Sequence, residues 1–125
     1  MNASLKPMSS PVGFRTEVDF ELPKGYLDDT GTLHRHGVMR LATAADEILP
    51  LRDPRVQQNE AYLAVIVLAR VVVRLGTLPD IHTGVIEGLY ASDLAYLQRL
   101  YESLNAEDDA DAHAAPPRMA VLGEA

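Results

Sequence analysis

Residues 61–75 read AYLAVIVLARVVVRL, an apolar stretch that is interrupted only by Arg70 and Arg74. Its β-branched residues favour a strand, but its length suits a helix and exceeds that of a usual strand. Asn59 is a good N-cap before the stretch, and Gly76 fits the C′ position after it. The stretch therefore predicts the main helix of the fold.

One narrow face of this predicted helix carries Leu63, Val67, Arg70 and Arg74. All other positions from residue 61 to residue 75 are apolar. In one interpretation this face is the edge of a surface helix, where the arginine stems pack on the protein and the guanidinium groups lie in water. In the other it is an interface, where the two guanidinium groups anchor carboxylates of a partner. Both interpretations stay open, and these four residues are the candidate partner contacts.

The segment before this helix predicts a β-hairpin. Residues 14–22 alternate apolar or small side chains with charged ones, which is typical of a half-buried strand that Pro23 should stop. Residues 28–31, Asp-Asp-Thr-Gly, have the composition of a hairpin loop. Residues 32–41 again alternate weakly, so we expect them to pair back on the first strand.

A short helix should follow the hairpin. Thr43 to Asp46 approximates a capping box, although an Asp at the third helical position is shorter than the preferred Glu or Gln. Pro50 and Pro54 are expected to close this helix.

Two more helices are predicted after residue 79. Thr83 is a candidate cap for the first, and Ser92 for the second, which should stop near Asn105. The last helix has an apolar stripe at helical spacing, consisting of Leu94, Leu97, Leu100, Tyr101 and Leu104.

These elements predict an α+β fold with a small N-terminal β-hairpin followed by three to four helices. Residues 13–105 should form one folded domain. Residues 1–12 are polar and turn-prone and predict a flexible arm. Residues 106–125 contain an acidic, alanine-rich run and a Pro-Pro pair, which predict a disordered tail.

The composition argues against several classes of protein. A net charge of -7, from 11 basic and 18 acidic residues, does not supply the basic field that nucleic-acid binding requires. The chain has no cysteine, and so no disulfide, thiolate nucleophile or cysteine-based metal site. We see neither a secretory signal nor an apolar run of the ~20 residues that a membrane span needs. We expect a cytoplasmic protein without a cofactor, a nucleic-acid partner or a membrane partner.

Two features of the hairpin have a catalytic or metal-binding interpretation. Asp29 to Thr32 reads Asp-Thr-Gly-Thr, the short signature of aspartic proteases, in which two such aspartates share a proton. That family requires an all-β fold, so a hairpin turn is the better interpretation. His34 and His36 are two residues apart and would share one strand face, where Asp28 or Asp29 is the nearest third metal ligand. Loose exposed imidazoles are commoner, and we predict no metal site and no catalytic residue.

The layout as a whole resembles that of small phage tail assembly proteins. The resemblance rests on residues 14–22, on the glycines from 25 to 31, and on residues 38–41 leading into the short helix. It continues through residues 74–78, 85–89 and 93–97, and so covers about residues 16–105. The positions that match most closely are Arg40, Arg74, Leu75, Gly76 and Asp93.

The resembling proteins are tail assembly chaperones and related proteins encoded with phage-tail-like contractile injection systems. The resemblance implies a mostly helical, non-catalytic factor that binds a tape-measure or tube protein by apolar contact until that protein joins the particle. The alternative is a permanent structural adaptor of the baseplate or tube. A third hypothesis is a metal-dependent or protease-like enzyme at the hairpin. A homo-oligomer is compatible with each of these.

Overall fold

A computed structural model describes residues 16–106, which form a three-stranded antiparallel sheet and five α-helices. The strands are β1 (Glu17–Leu27), β2 (Leu33–Arg40) and β3 (Val72–Leu75). The helices are α1 (Ala44–Ile48), α2 (Pro54–Gln58), α3 (Tyr62–Val71), α4 (Thr83–Glu87) and α5 (Ala91–Asn105), with a 3₁₀ helix at Leu49–Arg52. The predicted α+β class is confirmed. The predicted arm at residues 1–12 lies outside the described residues, as does the predicted tail at residues 106–125 except for its first residue.

The predicted hairpin is present, but Pro23 does not end its first strand. β1 continues to Leu27, and the pairing with β2 is irregular between Glu21 and Tyr26. The irregularity leaves Pro23 where no ladder hydrogen bond is needed, which is where a strand tolerates proline. The turn lies where the sequence predicts it, with the Gly31 N–H donating to the Asp28 carbonyl at 3.0 Å.

Residues 61–75 do not form one helix. They are helical only as α3, which ends at Val71, and Val72–Leu75 form β3 beside β2. The consecutive valines lose side-chain freedom in a helix and fit a pleated strand, so the β-branched composition outweighs length at this end. The prediction that Arg74 lies on the helix is therefore wrong, because Arg74 pairs with Val38 in the sheet.

The short helix after the hairpin begins as predicted. Thr43 is its N-cap, and Asp46 accepts the Thr43 N–H at 2.7 Å to complete a capping box. Pro50 lies in the 3₁₀ helix that follows α1. Pro54 does not merely close a helix, since it is the first residue of α2, where a missing N–H costs nothing.

The caps of the last two helices differ from the prediction. His82, not Thr83, is the N-cap of α4, and its Nδ1 accepts the Gly84 N–H at 3.1 Å. Tyr90, not Ser92, precedes α5. The predicted end of α5 at Asn105 is confirmed.

The core lies between one face of the sheet and the helices. Its most deeply buried apolar side chains come from all three strands and from α3, α4 and α5, and they are Leu22, Met39, Leu68, Val71, Leu75, Ile86 and Leu97. The predicted stripe of α5 contacts this core through Leu97 and its neighbours. None of the helices in the described part of the chain is both long and apolar enough to cross a membrane.

A buried carboxylate attaches α5 to the first strand. Asp93, in the first turn of α5, accepts the Gly25 N–H at 2.7 Å and the Lys24 N–H at 3.1 Å. These amides lie in the irregular part of β1, so the carboxylate supplies hydrogen bonds that the ladder does not.

Gly76 allows the chain to turn directly after β3. Its φ is +57°, and a Cβ at this position would lie 2.1 Å from Nδ1 of the buried His34. Its N–H also donates to the His36 carbonyl at 2.7 Å. Any side chain here would meet both an unfavourable backbone conformation and an occupied space.

We expect Gly76→Ala to lower the free energy of unfolding by about 2–4 kcal/mol, because left-handed strain adds to overpacking. Gly31→Ala is the control, since Gly31 has φ +88° but no atom within 4 Å of an added Cβ. Strain alone should cost this variant about 1–2 kcal/mol. Urea unfolding measures both values, and equal losses would contradict the proposed clash with His34.

Candidate functional site

An apolar groove lies between the α1 region, α3 and α5 and has a volume of about 1080 Å³. Its floor is formed by the buried side chains of Val67 and Leu68. Its walls are formed by residues that are partly or largely exposed, namely Ile48, Leu51, Ala61, Leu63, Ala64 and Tyr101. The groove combines a buried floor with exposed apolar walls, which is typical of a binding surface.

The groove exists because α3 is covered by its own fold along only part of its length. The last five residues of α3 include three that are buried, whereas Tyr62 to Val65 are only half-buried. Leu63 and Val67 are one turn apart on one face, so they line the groove in succession. Two of the four predicted contact residues are therefore brought together.

The rim of the groove is acidic. It is lined by Glu47 of α1, Glu60 of the turn before α3 and Glu102 of α5, and all three are exposed. Gln98 is a further polar lining residue, and no Lys or Arg is among the lining residues within the described part of the chain. The Tyr101 hydroxyl donates to the Glu47 carboxylate across the groove. Burial raises the pKa of Tyr101, and this hydrogen bond raises it further.

Arg70, the third predicted contact residue, is exposed but is held in an ion pair with Asp46 of the same chain. Its Nε donates to Asp46 Oδ1 at 2.9 Å. Arg40 donates to both oxygens of the same carboxylate, at 2.7 and 3.0 Å. Asp46 is only 2% exposed, and these bonds hold its pKa well below the usual range, with Arg40 as the largest cause. Arg70 therefore stabilises the fold at the end of α3.

Arg74, the fourth predicted contact residue, lies apart from the groove. It is exposed on β3 beside Val38, and it does not line the groove. Because it is on a strand, it no longer shares a face with Leu63 and Val67.

The two hairpin histidines lie in different surroundings. His34 is buried, its Nδ1 accepts the Thr77 N–H at 3.2 Å, and its Nε2 donates to Asp28 Oδ2 at 2.7 Å. His36 is exposed and lies 3.7 Å from Glu21. Within residues 16–106, no group of three or more side chains is arranged to hold a metal ion. Both ring nitrogens of His34 are used in joining the hairpin turn to the loop after β3.

The aspartic-protease signature forms the hairpin turn. Asp28 Oδ1 accepts the N–H groups of Thr30 and Thr32 at 2.9 and 3.0 Å. The hydrogen bond with His34 is the main cause that lowers the pKa of Asp28. Asp29, the aspartate of the signature, is exposed on this turn.

The sequence prediction missed the groove walls that come from outside α3. Ile48 is 56% exposed and Leu51 is 50% exposed, although both are large and apolar. A signal was present, because apolar residues 48, 49 and 51 surround Pro50 in a segment too short to be a core helix. Gln98, Glu102 and Tyr101 required the packing of α5 to be known.

The chain was also compared with known proteins. No family model, no curated protein and no solved structure matches it significantly.

We expect Asp46→Asn to lower the free energy of unfolding by about 3 kcal/mol, because it leaves two arginines beside a neutral amide. Asp53→Asn is the control, since Asp53 forms a more exposed pair with Arg55 and asparagine is an equally good N-cap. It should cost less than about 1 kcal/mol. Equal losses in thermal or urea unfolding would show that the buried network contributes no more than a surface pair.

Acid should destabilise the protein below about pH 4. Asp28 and Asp46 have lowered pKa values in the folded state, and that of Asp53 is lowered to about 2. In this range the unfolded chain binds more protons than the folded one, so stability is present above pH 4 and decreases as the pH falls. Urea unfolding between pH 6 and pH 2 should show this decrease, and a smaller one in Asp46→Asn. An identical slope in the variant would contradict the lowered pKa of Asp46.

Proposed function

We propose that this protein is a non-catalytic protein-binding factor for assembly of a phage tail or a phage-tail-like contractile injection particle. In this proposal it acts in the cytoplasm as a chaperone of a tape-measure or tube protein. The observation that carries the binding role is the apolar groove with its buried floor at Val67 and Leu68. The assembly process comes from the sequence resemblance alone.

The exposed walls of the groove support a binding role. Ile48 and Leu51 leave large apolar surface in water, which a folded domain retains at a cost unless a partner covers it. They lie beside the half-buried Leu63 of α3, so the apolar surface is continuous. A chaperone needs a surface of this kind, because it must cover apolar segments of its client and later release them.

The surroundings of the hairpin give less support to an enzyme. His34 and Asp28 use their polar atoms on each other and on backbone amides, and Asp29 lies on an exposed turn. Catalysis requires a group placed to act on a substrate. The groove instead offers extensive apolar contact, so we favour protein binding.

Co-expression with the tape-measure protein that this proposal expects to be encoded alongside the chain tests the proposal. We expect the tape-measure protein to be mostly soluble when the wild-type chain is present and mostly insoluble when it is absent. The measurement is the soluble fraction after centrifugation, followed by co-purification through a tag on this chain. A client that is equally soluble without this protein would overturn the chaperone role.

Assembled particles separate the chaperone from the permanent adaptor. Mass spectrometry of purified particles should not detect this chain if it is a chaperone. A fixed ratio of this chain to baseplate or tube subunits would instead support the adaptor.

A further inference from the structure

We infer that the groove between the α1 region, α3 and α5 binds an amphipathic helix of a partner, with an apolar face and flanking Lys or Arg residues. This inference rests on the proposed protein-binding function and specifies the chemistry of the partner. Three observations carry it: the secondary structure of the walls, the length of the groove and the charge of its rim.

The walls favour a helix over an extended peptide. They are built from helical elements and a short connection, so their main-chain N–H and C=O groups are largely used internally. A bound strand gains affinity from an unpaired strand edge, which this groove does not offer. A helix satisfies its own backbone and requires only side-chain contact. The groove supplies that contact through Leu63, Val67 and Ile48.

The length of the groove suits about two turns of helix. On the α3 side the lining residues extend from Ala61 to Leu68, which is about 10 Å at 1.5 Å per residue. A partner helix lying along this wall would place residues i, i+3 or i+4, and i+7 against the floor. Tyr101 lies on the opposite wall, and aromatic residues in such positions often dominate binding.

The rim selects for positive charge. Glu47, Glu60 and Glu102 surround the apolar floor without a lining Lys or Arg in the described region. Glu47 already accepts the Tyr101 hydroxyl, whereas Glu60 and Glu102 form no ion pair within residues 16–106. Basic residues flanking the apolar face of a partner helix would meet these carboxylates, and acidic ones would be repelled. The net charge of -7 also attracts positively charged partners over a longer range.

The test uses two synthetic 14-residue peptides and the full-length chain. One peptide places leucines on one helical face and lysines on the other, and the second has glutamate in place of every lysine. Fluorescence anisotropy at about 0.15 M salt, where distant charges are screened, measures binding. We expect the lysine peptide to bind and the glutamate peptide to bind at least tenfold more weakly. Equal binding of both peptides, or no binding of the lysine peptide, would overturn the inference.

Two double variants distinguish binding in the groove from attraction by the overall net charge. We expect Glu60→Lys with Glu102→Lys to weaken binding of the lysine peptide about tenfold, because two rim charges are reversed. Asp19→Lys with Asp80→Lys makes the same change in net charge at exposed positions outside the groove, and we expect less than a threefold effect. Equal losses in the two pairs would show attraction by net charge alone and would overturn the inference.

A second pair of variants tests the apolar walls. Ile48→Ser with Leu51→Ser should weaken binding about tenfold, and their exposure means that the fold should survive, which circular dichroism verifies. Leu27→Ser with Leu33→Ser is the control, because these hairpin residues are 55% and 52% exposed and lie outside the groove. Light scattering of the free chain serves as a further check. If the wild-type chain and the control variant are dimers and only the Ile48/Leu51 variant is a monomer, a second copy of the chain fills the groove. This result would overturn the inference.

The outcomes also distinguish this inference from the proposed function. If the tape-measure protein is solubilised equally by the wild type and by both groove variants, the assembly role stands and the groove inference fails. If the lysine peptide binds as expected but the tape-measure protein is not solubilised, the groove inference stands and the assembly role fails.

Discussion

The Asp46 carboxylate lies where the sheet and two helices meet, and the arrangement of the helices depends on it. It receives Arg40 from the end of β2, the Thr43 N–H from the start of α1, and Arg70 from the last turn of α3. Two cations and a capping amide compensate for the burial of one anion, which would otherwise be costly. Arg40 also donates to the Arg70 carbonyl at 3.0 Å. In a continuing helix that carbonyl would accept the N–H of residue 74, so Arg40 replaces the bond that α3 loses where β3 begins.

The same network positions the groove. Glu47 and Ile48 directly follow Asp46 in α1, while Val67 precedes Arg70 on α3 by about one turn and Leu63 precedes it by about two. The ion pairs therefore join two walls of the groove at one end. A fixed separation at that end explains how large apolar side chains remain at the surface without collapsing onto α3. A preformed groove also spares a partner the cost of ordering it on binding.

How much of this was predictable depends on whether local or distant contacts decide each element. The alternation of residues 14–22 and the stripe of α5 are local patterns, and both elements were found. The end of α3 was not found, because length and β-branched composition give opposite answers there. The contacts that fix the end of α3 and the start of β3 are distant in sequence. Arg40 binds the Arg70 carbonyl, and the His36 carbonyl accepts the Gly76 N–H. The groove was half predicted for the same reason: Leu63 and Val67 follow from helical periodicity, whereas the opposite walls depend on tertiary packing.

The residues that carry the sequence resemblance are mostly used inside the protein. Arg40 holds Asp46, Asp93 accepts the amides of β1, Gly76 lies against His34, and Leu75 is buried in the core. Such positions specify a scaffold and say little about what it binds. The residues that line the groove are different ones, and they are not among the five closest matches. In the binding proposed above, the acidic rim selects the partner, so the fold and the partner preference depend on separate sets of residues.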